Sequence, residues 1–137
     1  MKIIICGSMA FSEQMLQLKS DLEAMGHEAT VPHNAEKYVT RELSAENRQE
    51  STANKIAGNL IQEYYWAIRD ADAVIIADYD KNGIKDYVGG NSFLEAGYAH
   101  ALEKKLYFIN GIPEMPYSDE LRALQPMVLM GDLSRIL

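Results

Sequence analysis

The sequence lacks the features that define several large classes of protein. Its 137 residues contain one cysteine, Cys6, so no disulfide can form within the chain and a disulfide-stabilised fold is excluded. No apolar run approaches the roughly 20 residues of a membrane-spanning helix. The apolar start MKIIIC is also too short for a secretory signal. We therefore expect a cytoplasmic protein with no membrane partner.

Positive charge is scarce as well. The chain carries 13 Lys and Arg residues against 20 Asp and Glu residues, which gives a net charge of −7, and no run of basic residues occurs. The electrostatic field of such a protein repels polyanions. We therefore expect no nucleic-acid polymer as a partner, and we expect a small-molecule ligand instead.

Motifs for common cofactors are missing too. Neither G-x-G-x-x-G nor G-x-x-x-x-G-K-[ST] follows the first apolar run, so neither a dinucleotide site nor a Walker-type phosphate site is predicted. The three histidines lie far apart, and no Cys or His pair has the spacing of metal ligands. We expect neither a metal nor an organic cofactor.

The sequence does contain a regular alternation of short apolar runs and helical patterns. Strands are predicted at KIIIC, HEATVP, ADAVIIADYD, KKLYFIN and MVLM. Helices are predicted over 12–25, over about 45–70, at the stretch opened by VGGNSFLE and near 118–124, whereas 33–44 shows no period. This alternation predicts a parallel sheet covered by helices on both faces. We expect one domain over 1–137, a flavodoxin-like or Rossmann-like α/β sandwich of five parallel strands in the order 2-1-3-4-5.

The predicted topology places a ligand site at the carboxyl ends of the first and third strands, where the strand order reverses. Three segments converge there: CGSMAF, DYDKNG and VGGNSFLE. Glycines in such loops let a ligand approach the backbone, and a helix N-terminus attracts anions. These segments supply the candidate substrate-binding residues Gly7, Ser8, Met9, Phe11, Gly89, Gly90 and Ser92, and the candidate catalytic residues Asp78, Asn91 and Glu95.

Each candidate also has a purely structural interpretation. Ser92 and Glu95 have the spacing of a capping box, in which each side chain satisfies a backbone N–H at a helix start. Gly7 can serve the turn alone, and Asp78 can be a solvated loop acid. Cys6, at the end of a buried strand, is more typical of an inert apolar residue than of a nucleophile. The residues alone leave these alternatives open.

Part of the chain resembles a known family. The stretches GSMAF, ADAVIIADYD and GGNSFLEAGYAHALEKKLYFIN are similar to the nucleoside 2-deoxyribosyltransferase superfamily, which includes the 2′-deoxynucleoside 5′-monophosphate N-glycosidases. The most specific match lies between Gly90 and Lys104 and contains the pattern E-x-G-Y-A-x-A-x-x-K. The glutamate of this pattern is the family's nucleophile, and it corresponds to Glu95.

The resemblance implies cleavage or transfer at the N-glycosidic bond of a nucleoside or nucleoside 5′-monophosphate, with hydrolysis favoured over transfer. It also implies a homodimer or larger homo-oligomer, for which the aromatic stretch EYYWAI supplies apolar surface. The chain departs from the family at Gly89, where the transferases have Asp, and at Asn91, where they have Gly. A second family acid corresponds to Tyr64, which we place among the substrate-binding residues. These departures leave two alternatives, a non-catalytic nucleotide-binding module and an NAD glycohydrolase.

Overall fold

The computed structural model describes residues 1–32, 35 and 59–137. The described strands form one sheet in the order β2-β1-β3-β4-β5, and all neighbouring strands run parallel. The strand order predicted from the sequence is confirmed. The strands are β1 (Lys2–Cys6), β2 (Glu28–Thr30), β3 (Ala73–Ile76), β4 (Lys105–Phe108) and β5 (Met127–Val128).

Burial explains why the apolar runs form the central strands. Every residue of β3 is buried, and β1 is buried from Ile3 to Cys6, because helices cover both faces of the sheet at these strands. The edge strand β2 instead alternates, with Ala29 buried between the exposed Glu28 and Thr30. The interior of the sheet is therefore built from near-continuous β-branched segments.

Helices pack on both sides of the sheet. The described α-helices are α1 (Ser12–Ala24), α2 (Leu60–Arg69), α3 (Gly90–Ala101) and α4 (Ser118–Ala123), and 3₁₀ turns occur at Met9–Phe11 and Leu133–Arg135. Alternate strand residues point to opposite faces. Ile3 and Ile5 join α1 in one apolar cluster, whereas Ile4 and Cys6 join α2, α3 and α4 in the other.

Two predictions fall partly outside the described residues. The irregular segment expected over 33–44 lies outside them except for residue 35, and the first part of the helix expected over 45–70 lies outside them up to residue 58. The end of that helix is present as α2. Within the described ranges, each helix is too short or too polar to cross a bilayer.

Candidate active site

The loops after β1 and β3 meet at the carboxyl edge of the sheet, and Gly7 makes their contact possible. A Cβ atom on Gly7 would lie 3.0 Å from the Met15 sulfur and 3.1 Å from both the Cβ and the carbonyl oxygen of Ala77. A methyl group there would be crowded against Ala77 and Met15, which would have to shift by a few tenths of an ångström. The two loops therefore approach each other closely at Gly7, where a side chain is hard to accommodate.

Helix α3 starts earlier than the capping-box interpretation requires. Its N-cap is Gly89, which is extended at ψ 173°, and the helix begins at Gly90. Ser92 is consequently the third helical residue, and Glu95 lies in the next turn, beyond reach of the first free N–H groups. The predicted capping box is wrong, because the glycine pair lets the chain turn helical two residues before Ser92 could cap it.

The first turn of α3 presents both backbone and side chains at this edge of the sheet. Gly90 is exposed, and a Cβ placed on it would meet nothing within 4 Å. Asn91 is exposed beside it, whereas Ser92 is turned inwards and is only 3% exposed. The open backbone at Gly90 is the part of this turn that a ligand can approach most closely.

Glu95 lies in the second turn of α3 and is half-buried. Cys6, at the end of β1, is completely buried. Burial first, and then the charge of Glu95, raise the pKa of the Cys6 thiol well above its usual value, so the thiol stays protonated. Sequence reasoning missed this influence, since no local pattern relates residues so far apart in the chain.

Asp78 lies in a very different environment. It follows β3 and is completely buried; its Oδ1 accepts a hydrogen bond from the Asn110 backbone N–H at 2.8 Å, and its carbonyl accepts one from the Asn110 amide at 3.0 Å. Among the described residues, Oδ2 has no hydrogen-bond partner. Burial, reinforced by the charge of Asp86, raises the pKa of Asp78 to about 8. Asp78 thus links the ends of β3 and β4 as a carboxylic acid that solvent does not reach.

A tight turn after β3 brings a cation to this edge of the sheet. Asn82 and Gly83 both have positive φ, and Lys81 and Ile84 exchange two backbone hydrogen bonds around them. This is the geometry of a two-residue type I′ turn, for which Asn-Gly is the preferred sequence. The Asn-Gly pair was therefore a local indication of a turn that our sequence analysis did not use.

The turn directs Lys81 towards the loop after β1. Its Nζ donates a hydrogen bond to Ser8 Oγ at 2.8 Å and lies 5.2 Å from the centre of the Tyr87 ring. Ser8 also caps the 3₁₀ turn by accepting a hydrogen bond from the Ala10 backbone N–H at 3.2 Å. Two of the three segments predicted to converge, those after β1 and β3, do meet here through Lys81, a residue that the sequence did not single out.

The remaining candidates lie further into the apolar layers. Phe11 is 3% exposed and packs edge-on against Tyr79, with ring centres 5.4 Å apart. Met9 is half-buried against the same apolar cluster, and Tyr64 packs against the cluster on the opposite face. Among the residues that the structure describes, no group of three His, Cys, Asp or Glu side chains is arranged to hold a metal ion.

The architecture is shared with an enzyme of known structure. No protein-family model matches the sequence, and no curated protein matches it either. A solved structure of the CMP N-glycosidase from Clostridium botulinum is similar, with a TM-score of 0.53 and 17% sequence identity, and the match covers 93% of this chain and 85% of that one. The likeness confirms at the level of the fold what the family resemblance implied.

Proposed function

We propose that this protein hydrolyses the N-glycosidic bond of a nucleoside 5′-monophosphate, with Glu95 as the nucleophile. The observation that carries the proposal is the position of Glu95, which is half-buried on α3 at the carboxyl edge of the sheet, where β1 and β3 end. Parallel α/β sheets bind ligands at this place. The similarity to a CMP N-glycosidase supports the same class of bond.

The chemistry needs an anion next to the anomeric carbon. An oxygen of Glu95 attacks C1′ while the C1′–N bond breaks, and the departing base takes that bond's electron pair and a proton from solvent. The sugar develops oxocarbenium character in this step, which a carboxylate stabilises. Water then attacks C1′ of the glycosyl ester and loses a proton to solvent, while the C1′–O bond to Glu95 breaks, which frees the sugar phosphate and restores the Glu95 carboxylate.

Lys81 and Ser8 support a substrate that carries a phosphate. The Lys81 ammonium group and the Ser8 hydroxyl lie 2.8 Å apart and join the loops after β3 and β1. Together they offer a phosphate one charged donor and one neutral donor. In an acidic chain, such a local cation gives an anionic substrate a defined point of attachment.

Hydrolysis is favoured over base exchange by the residues next to Glu95. Gly89, the N-cap of α3, stands where the resembling transferases carry an aspartate, so no carboxylate from that position can serve an incoming base. Water can complete the reaction in place of an incoming base. A transferase would have to draw its second acid from elsewhere in the chain.

A non-catalytic nucleotide-binding module is the second candidate, and the burial of Asp78 favours it. Asp78 was one of the candidate catalytic residues, and it is completely buried. A protein without a proton donor at the site can bind a nucleotide without cleaving it.

One assay separates these functions. Purified protein is incubated with nucleosides, their 5′-monophosphates and NAD, and free base is measured by chromatography alongside thermal shifts. The hydrolase releases base from a monophosphate. A binding module is stabilised by nucleotides but releases none, and release from NAD alone would identify the third alternative.

A second copy of the chain is the proposed partner of the α2–α3 surface. Its apolar side chains are strongly exposed: Ile61 at 41%, Tyr65 at 36%, Trp66 at 45% and Leu94 at 46%. Tyr65 packs edge-on against Tyr98, with ring centres 5.2 Å apart, which joins the two helices into one surface. Adjacent exposed apolar residues of this kind mark protein interfaces, and a homodimer buries them symmetrically.

A further inference from the structure

Among the residues that the structure describes, the ammonium group of Lys81 is a cation without a carboxylate partner. Its Nζ donates a hydrogen bond to Ser8 Oγ at 2.8 Å, and the ion pairs of the described chain all involve other basic residues. A lysine side chain is a flexible stem, and one hydrogen bond to a neutral hydroxyl restrains it at a single point. A second contact is needed to hold the ammonium group at this edge of the sheet.

The ring of Tyr87 provides that second contact. The Lys81 Nζ lies over the ring, 5.2 Å from its centre, within the distance at which the negative face of an aromatic ring attracts a cation. Tyr87 is half-buried and packs against the apolar cluster on the α1 side of the sheet, which supports the ring. The ring has no net charge, so the contact leaves the charge of Lys81 available to an anion.

Hydrogen bonds along the loop after β3 keep Lys81 and Tyr87 together. The Tyr87 N–H donates a hydrogen bond to the Tyr79 carbonyl at 2.8 Å, and the Asp86 N–H donates one to Asp80 Oδ1 at 3.0 Å. These bonds close the loop at its base, so the turn and the aromatic ring belong to one hydrogen-bonded unit. The loop itself therefore determines the distance between the cation and the ring.

The same ring lies against the start of α3. A Cβ atom on Gly89 would be 3.3 Å from both Cε1 and the hydroxyl oxygen of Tyr87. Gly89 is the N-cap of the helix that carries Glu95. The phenol end of Tyr87 thus adjoins this helix while the face of the ring contacts the ammonium group. One side chain connects the cation with the element that carries the proposed nucleophile.

We propose that Tyr87 is a positioning residue for Lys81, whose ring holds the ammonium group beside Ser8 and makes the site selective for a sugar that carries a phosphate monoester. The inference rests on the phosphate-binding role proposed for Lys81. A carboxylate in the place of Tyr87 would also hold the ammonium group, but it would neutralise the cation and repel a phosphate dianion. An aromatic face attracts the cation without either effect.

Ribose 5-phosphate tests the proposal without turnover, because it contains the sugar and the phosphate but no base. Its dissociation constant is measured by isothermal titration calorimetry. Tyr87→Leu removes the aromatic face and should weaken binding about tenfold, whereas Tyr87→Phe keeps that face and should bind within about twofold of the wild type. The matched control is Tyr79→Leu, which changes another half-buried tyrosine on the same apolar cluster and should leave the dissociation constant unchanged.

A double-mutant cycle separates positioning from packing. If Tyr87 acts through Lys81, Tyr87→Leu should weaken binding of ribose 5-phosphate about tenfold in the wild type but less than about twofold in a Lys81→Ala background. Equal effects in the two backgrounds would overturn the proposal. A loss of affinity in Tyr87→Phe as large as that in Tyr87→Leu would overturn it too, because the aromatic face would then be irrelevant.

A measurement on the wild-type protein decides even if Tyr87→Leu does not fold. The ring current of an aromatic side chain moves the NMR signals of protons above its face upfield. We expect the ε-methylene signal of Lys81, identified by its absence from Lys81→Ala, to lie upfield of the signals of the other lysines and to stay there in Tyr87→Phe. A Lys81 signal at the position of a solvated lysine would overturn the proposal.

Failure of this inference is distinguishable from failure of the proposed function. A wild-type protein that does not bind ribose 5-phosphate would overturn the role of Tyr87, whatever its activity. If ribose 5-phosphate binds with the expected dependence on Tyr87 and Lys81 but no nucleoside monophosphate loses its base, the proposed hydrolysis fails and the positioning role stands.

Discussion

Two carboxyl groups at the same edge of the sheet are held in opposite ways. Asp78 is completely buried and bonded to the Asn110 backbone, and burial raises its pKa to about 8. Glu95 is half-buried on α3. A completely buried carboxyl that is bonded to neighbouring backbone joins strands, whereas a partly exposed one can contact a ligand. The contrast favours a structural role for Asp78 and agrees with the nucleophilic role proposed for Glu95.

The loop that follows Asp78 is held at two points. Near the end of β4, Asp86 Oδ2 accepts a hydrogen bond from the Gly111 N–H at 3.2 Å. The same loop is joined to the loop after β1 by the 2.8 Å hydrogen bond from Lys81 to Ser8. A ligand that bonds to Lys81 or Ser8 can replace the second of these contacts.

The largest expected effect is on catalysis at Glu95. Glu95→Gln keeps the shape of the side chain and removes the nucleophilic oxygen, so base release should fall by at least about a thousandfold. The melting temperature should change by no more than about 3 °C, because the amide still fills the same space. Chromatography of free base and thermal unfolding measure the two quantities. Glu103→Gln, an exposed change just after α3, is the control, and equal activity of Glu95→Gln and wild type would refute the nucleophile.

The second prediction concerns stability at Asp78. The buried carboxyl stays protonated up to about pH 8, whereas the unfolded chain ionises near pH 4. Folding therefore takes up a proton between these values, and stability should fall as pH rises through this window, by at most about 1.4 kcal/mol per pH unit.

The variant Asp78→Asn tests whether the Asp78 carboxyl causes this pH dependence of stability. The amide cannot ionise, so the free energy of unfolding, measured by urea titration from pH 5 to pH 8, should lose most of this slope. Base release at neutral pH should stay within about threefold of the wild type, because a group that solvent does not reach takes no part in the reaction. A thousandfold loss of activity in a folded Asp78→Asn variant would show that Asp78 takes part in the reaction and that its role is not purely structural.

The third prediction concerns Lys81. Replacing it with Ala should raise KM for a nucleoside 5′-monophosphate about 10- to 100-fold, the range expected when a hydrogen bond to a charged group is lost. The nucleoside that lacks the phosphate should react as it does with the wild type. Lys85→Ala, an exposed change in the same loop, is the matched control. Equal losses for phosphorylated and unphosphorylated substrates would show that Lys81 does not bind the phosphate.

The smallest expected effect is on assembly. Trp66→Lys puts a charge into the exposed apolar surface of α2 and α3 and should convert a dimer into a monomer in sedimentation velocity. It should also remove the dependence of the melting temperature on protein concentration. Gln62→Lys adds the same charge at another exposed position of α2 and should leave the dimer intact. A wild-type protein that sediments as a monomer at every concentration would refute the interface.

The sequence predicted the fold well, because strand order follows from local patterns. Apolar runs such as Ile3–Cys6 are buried on both faces, and their alternation with helices determines the parallel topology. The capping box placed the start of α3 at Ser92, whereas the N-cap is Gly89. The Ser92–Glu95 spacing contains no information on the conformational freedom of Gly89 and Gly90, which lets the helix begin earlier. The Asn-Gly turn that directs Lys81 was visible in the sequence, but its significance depends on where Ser8 lies.

The candidate site was predicted less completely, for a physical reason. Asp78 and Glu95 both lie at the expected edge of the sheet, yet the environment of Asp78 depends on Asn110, a partner distant in sequence. Burial and pKa depend on such tertiary contacts, which neither composition nor spacing encodes. A carboxylate's location can thus be predicted before its protonation state.

The tight contact at Gly7 has a consequence for redesigning the protein. A methyl group there would crowd Ala77 and Met15, and relief of that crowding would displace the Ser8 loop relative to the loop that carries Lys81. Gly7→Ala therefore offers a way to change the spacing of Ser8 and Lys81 without altering any polar side chain. In the proposed hydrolase, one methyl group just after β1 would then adjust which nucleoside monophosphates fit.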